Sequence, residues 1–67
     1  MKKNKKKYDL YRLEGDFSEF CYRFGNKEEA LVSLGILVGG GHSGYIEEIS
    51  FETVEHVKRI ELEAVIH

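Results

Sequence analysis

The residues suited to chemistry are few and scattered. Gly39-Gly40-Gly41-His42-Ser43-Gly44 is a glycine-rich run holding one imidazole and one hydroxyl. A phosphate cradle needs such glycines at the start of a helix, where backbone N–H groups point outward. Here they follow a helical pattern, where the orphan groups are carbonyls. The run also lacks the Lys-Ser/Thr ending of a P-loop and the spacing of a dinucleotide fingerprint. It reads as a flexible helix-to-strand connector. His42, His56 and His67 show no His-x-Glu or His-Glu-x-x-His spacing, so neither a metal site nor a cofactor is expected. A nucleophilic cysteine needs a base and a positive environment. Alternation puts Arg23 beside Cys21, but no histidine. Glu28-Glu29 and Glu47-Glu48 are adjacent rather than opposed, which suits a helix start and a strand surface better than an acid–base pair. The expectation is a non-enzymatic chain without a small-molecule substrate.

Size and composition narrow the class further. Sixty-seven residues allow one domain at most. A single cysteine rules out an internal disulfide framework and, without a secretion signal, favours the cytoplasm. No unbroken apolar run exceeds three residues, so no membrane span is expected. The net charge of −2 hides two unlike parts. Lys2, Lys3, Lys5, Lys6 and Lys7 crowd the first seven residues. Arg12, Arg23, Lys27, Lys58 and Arg59 then stand against all twelve acidic residues, so residues 8–67 carry −7. Residues 1–7 are expected to be a disordered lysine-rich tail, and residues 8–67 a single small domain. The tail offers counterion release on a nucleic acid. No aromatic residue interleaves Lys2 to Lys7 to stack on bases, and the acidic body repels phosphate.

The elements follow from periodicity. Tyr8 to Glu14 reads as a strand, Gly15-Asp16 as a turn, and Asp16 to Phe24 as a second strand. Asn26 is an N-cap, with Glu28 and Glu29 against the positive end of the helix dipole. Ala30, Leu31, Leu34, Leu37 and Val38 form one apolar stripe on a helix, which Gly39-Gly40-Gly41 ends. Tyr45 to Thr53 alternates again. So does His56 to His67, where a helix would scatter the apolar residues over more than half its circumference. The fold expected is α+β with two layers: a four-stranded, mostly antiparallel sheet in the order β-β-α-β-β, with one helix packed on one face. The core would comprise Tyr11, Leu13, Phe20, Tyr22, Phe24, Leu31, Leu34, Leu37, Ile49, Phe51, Ile60, Leu62, Ala64 and Ile66.

Alternation then places Tyr8, Leu10, Arg12, Cys21, Arg23, Ile46, Val57, Arg59 and Val65 on the face away from the helix, among glutamates. A face serving only solvent would be mostly polar. Tyrosine and arginine are enriched at interface hot spots. Tyr8, Leu10, Arg12, Arg23 and Arg59 are therefore the candidate protein-binding residues. So small a core also gains from burial against a partner or a second copy. The strand hairpin followed by a helix opening at Asn-x-Glu-Glu-Ala (26–30) resembles small bacterial and phage proteins. Compact acidic phage-encoded inhibitors are similar in size and charge. That resemblance implies a regulator or inhibitor that docks on a protein partner or acts as a homodimer. The alternative is a nucleic-acid-associated accessory protein using Lys2, Lys3, Lys5, Lys6 and Lys7.

Overall fold

The structure, a computed structural model, describes residues 5–53 and 55–67. Strands β1 (Lys5–Glu14) and β2 (Phe17–Phe24) precede helix α1 (Lys27–Gly39), and strands β3 (Ser43–Phe51) and β4 (Val57–Val65) follow it. The strands form one antiparallel sheet in the order β2-β1-β3-β4. The α+β expectation of four strands and one helix holds, including the extended rather than helical C-terminal segment.

Local chemistry explains each junction. Gly15 takes a φ of +61° at the first position of the β1–β2 turn, which only glycine adopts without strain. Asn26 caps α1: its Oδ1 accepts from the Glu29 N–H at 2.8 Å. After the helix, Gly41 has a φ of +91° and its N–H donates to the Val38 carbonyl at 2.9 Å. In the loop between β3 and β4, the Glu55 and His56 N–H groups donate to Thr53 Oγ1 at 3.2 and 2.9 Å.

Both β2 and β3 pair antiparallel with β1, on its two sides, so they run parallel to each other. α1 is the crossover between them, and it lies mainly over β3 and β1. Under it the core is small. Leu10, Ala30, Leu34 and Ile46 are buried together, with Tyr8, Phe24, Leu31, Leu37 and Val38 packed around them. Gly44 lets the helix approach this closely. A Cβ there would stand 2.6 Å from Leu37 Cδ2 and 2.7 Å from the Tyr11 carbonyl oxygen. The carbonyl belongs to a central strand and cannot yield. Gly44→Ala is therefore expected to cost about 1–3 kcal/mol by overpacking, read as a lower urea midpoint at unchanged slope.

Three expectations are corrected. The sheet begins at Lys5, so Lys5, Lys6 and Lys7 are strand residues rather than tail; Lys2 and Lys3 lie outside the described residues. Strand pairing asks only for backbone groups, and Lys5–Lys7 find theirs opposite Phe51, Ser50 and Ile49. Lys6 Nζ also lies 3.8 Å from Glu48 Oε2.

Second, the helix covers the opposite face of β1 and β3 from the one expected. Leu10 and Ile46 point at α1, while Tyr11, Leu13, Ile49 and Phe51 point away. In β1, Asp9 interrupts one apolar series and Arg12 the other, so apolar content does not choose between them. Tertiary fit does. The missing side chain at Gly44 makes room for Leu34 and Leu37 of α1 on that side of β3, and pairing carries the choice to β1.

Third, a bulge in each edge strand reverses its alternation. Cys21 is an extra residue between Phe20 and Tyr22, which oppose Tyr11 and Leu10. Leu62 is extra between Glu61 and Glu63, which oppose Glu47 and Ile46. Each bulge turns the residues beyond it to the other face. Phe20 and Ala64 thereby leave the helix side, and Tyr22 and Ile60 remain there substantially exposed.

Candidate docking face

The helix-free face is built from alternate residues of all four strands. Tyr11 on β1 is its centre. The Tyr11 ring stacks on Tyr45 of β3, with centroids 5.0 Å apart and planes 9° apart. It meets Phe20 of β2 edge-on, at 5.8 Å and 72°. Both arrangements are favoured by the ring quadrupole. Phe20 is 52 % exposed. The Tyr45 hydroxyl donates to Ser18 Oγ at 3.2 Å and ties β3 to β2 across β1. Bulging at Cys21 is what brings Phe20 to this face.

Beside the aromatic trio lies the best-defined ion pair. Asp9 is 1 % exposed although no helix lies on its side. Arg23 covers it, with Nε donating to Oδ1 at 2.7 Å and Nη2 to Oδ2 at 2.9 Å. That fork satisfies a carboxylate that would otherwise be buried alone. The guanidinium also sits 5.9 Å from the centre of the Phe51 ring. Its hydrogen bonds to Asp9 raise the Arg23 pKa above its ordinary value, against the opposing effect of burial. The pair engages Nε and Nη2, while Nη1 carries two further N–H donors. Arg59 Nη1 approaches Glu47 Oε1 at 3.5 Å, a looser contact at the surface.

The five expected binding residues fall on two faces. Arg23 and Arg59 stand on the helix-free face as expected. Leu10 is 5 % exposed beneath α1, so it belongs to the core and cannot anchor a partner. Tyr8 packs against the same cluster and donates its hydroxyl to Glu48 Oε2 at 3.1 Å. Arg12 points to the helix side at the far end of the β1–β2 hairpin. Its Nη2 donates to Glu19 Oε1 at 2.8 Å and lies 3.2 Å from Glu14 Oε1. Those contacts raise its pKa, led by the hydrogen bond to Glu19. Tyr11, Phe20, Tyr45, Asp9 and Phe51 were missed, because the sequence alternation assigned the wrong phase to β1 and β3 and does not reveal the bulge in β2.

Two phenols report on this packing. Burial, then the hydrogen bond to Glu48, raises the Tyr8 pKa above the ordinary value of 10.0. Burial, then the charges of Glu47, Asp9 and Tyr45, does the same for Tyr11, with Arg59 opposing. A phenol whose pKa is higher folded than unfolded contributes stability in full below the unfolded value. That contribution is lost as pH climbs through the folded value. Stability is thus expected to decline from about pH 10 upward. Tyrosinate absorbance should show the late ionisation of Tyr8 and Tyr11, and Tyr8→Phe and Tyr11→Phe should each remove one late step.

The remaining candidates stay apart. His42 follows the helix, His56 lies 3.6 Å from Glu52 in the β3–β4 loop, and the His67 N–H donates to Ser43 Oγ at 2.8 Å. Among the described residues, no three His, Cys, Asp or Glu side chains gather as a metal ion would require. Among the same residues, no helix is long and apolar enough to cross a membrane. A shallow groove between α1 and the end of β2 is lined by Phe24, Glu28, Glu29, Val32 and Ser33. Compared with family models, curated proteins and solved structures, the chain matches none.

Proposed function

We propose that this chain is a non-enzymatic protein-binding module, a small regulator or inhibitor, whose docking surface is the helix-free face of the sheet. One observation carries the reading: three aromatic rings, Tyr11, Tyr45 and Phe20, lie in contact on the face opposite α1. Aromatic residues and arginine are the types that dominate interface energetics. The rings are held by each other and by Ser18, and Arg23 is held by Asp9. Little side-chain entropy is then lost when a partner arrives. The natural partner surface is apolar at its centre, with acidic groups placed to meet Nη1 of Arg23 and the head of Arg59. The reading places the module in the cytoplasm and needs no cofactor.

A differential experiment tests it. The tagged chain is used to recover its partner, beside Phe20→Glu on the open face and Ile36→Glu on the outer side of α1. Ile36 is 73 % exposed, so its replacement leaves the sheet untouched. The partner should be lost with Phe20→Glu and kept with Ile36→Glu. Equal recovery with both variants overturns the reading.

The nucleic-acid alternative draws on a specific feature. Strand alternation puts Lys5 and Lys7 on the same face as Tyr11. Asp9, Glu47 and Glu61 share that face and weaken its attraction for phosphate. Salt-sensitive binding to a single-stranded oligonucleotide, lost in Phe20→Ala, would favour this alternative over the protein partner.

A further inference from the structure

We propose that β4 pairs with β4 of a second copy, antiparallel about Ile60, to give one continuous eight-stranded sheet. The dimer contact is the backbone edge of β4 and shares Arg59 with the proposed docking face. Phe20→Glu tests the docking face, and the charge swaps below, read on the isolated chain, test the edge. β4 is an edge strand. It contains no proline, and Ile60 at its middle is 46 % exposed. Edge strands are commonly protected by bulges, prolines or inward charges. The other edge, β2, is broken mid-strand by the Cys21 bulge. In β4 the bulge comes late, at Leu62, and leaves Val57–Glu61 regular.

Charge selects both the partner and the register. In an antiparallel pair, residues directly opposite share a face. A two-fold axis at Ile60 sets Ile60 against its own copy on the helix side. On the open face it sets Arg59 against Glu61 of the second copy, twice by symmetry. Beyond the Leu62 bulge, Lys58 comes opposite Glu63, both on the helix side. Moving the axis one residue either way sets Arg59 on Arg59 or Glu61 on Glu61. Such like-charge pairs are destabilising. The monomer has a related conflict, since Glu47 and Glu61 already oppose each other across β3 and β4. Arg59 of a second copy brings a cation to that acidic pair. An axis normal to the sheet also keeps both helices on one side.

Sedimentation equilibrium over a concentration series tests this with charge-swapped variants. The unaltered chain should dimerise. Arg59→Glu alone and Glu61→Arg alone should each dimerise about tenfold more weakly or worse, having exchanged two attractive pairs for two repulsive ones. Mixed together, the two single variants should form a heterodimer, because every pair is then complementary again. That recovery excludes misfolding as the cause of the loss. The double variant Arg59→Glu/Glu61→Arg should also recover self-association. A monomeric unaltered chain at millimolar concentration would overturn the proposal. So would a dimer indifferent to the single changes, or single variants that fail to recover on mixing. Phe20→Glu, on the open face, should leave this dimer intact.

Discussion

Arg23→Ala is expected to destabilise the fold by about 2–3 kcal/mol. The loss would come mainly from Asp9. Asp9 is 1 % exposed, and its carboxylate is held by both limbs of the Arg23 fork. Removing one partner of a buried pair leaves an uncompensated charge, at a usual cost of about 3–5 kcal/mol. The Arg23 side chain is itself 46 % exposed, so water enters the space it vacates and the effect falls to the lower end of that cost or below it. Loss of the contact over Phe51 adds to it. The companion change separates the causes. Asp9→Leu/Arg23→Met removes both charges and should recover most of the stability, since an apolar pair of similar volume often matches a buried ion pair. Urea titration of the three proteins is the measurement. An Arg23→Ala protein as stable as the parent would mean that Asp9 is not held in this way.

Ile46→Ala should be as severe or worse, at about 2–4 kcal/mol. Ile46 is fully buried between the sheet and α1, in contact with the Leu10, Ala30 and Leu34 cluster. Truncation removes apolar burial and leaves a cavity that a helix seated closely over Gly44 cannot collapse into. The whole domain is expected to be worth only about 3–10 kcal/mol at this length. Toward the lower end of that range, a substantial unfolded fraction at room temperature follows. Ile36→Ala is the control: the residue is 73 % exposed on the outer side of α1, and its loss should cost well under half as much. Thermal melts at one fixed concentration are needed for the comparison, because self-association also contributes to apparent stability.

The helix, its Asn26 cap, the glycine stop and the number of strands were all legible in the residues. Each depends on local rules: an apolar stripe at helical spacing, a capping side chain, a φ that only glycine tolerates. The sheet faces were not legible to the same degree. Asp9 looks like an outward residue until Arg23 is placed across from it. Arg12 looks like a breaker of the inward series until Glu14 and Glu19 are seen to hold it. Cys21 and Leu62 give no local sign that they are extra residues in their ladders. Bulges are set by pairing between strands, and pairing is not written in either strand alone. Gly44 was the one available hint. A glycine at the start of an alternating run marks close approach of another element, and it would have set the phase of β3 and, through pairing, of β1.

The two-sided sheet is the premise for every functional statement, and methyl and aromatic nuclear Overhauser contacts test it most directly. Leu34 and Leu37 methyls should show contacts to Leu10 and Ile46, and none to Ile49 or the Tyr45 ring. The Tyr11 ring should show contacts to Phe20 and Tyr45 alone among the aromatic rings. Contacts from the α1 methyls to Ile49 or Tyr45 would put the helix on the other side, cover the proposed docking face and contradict the account.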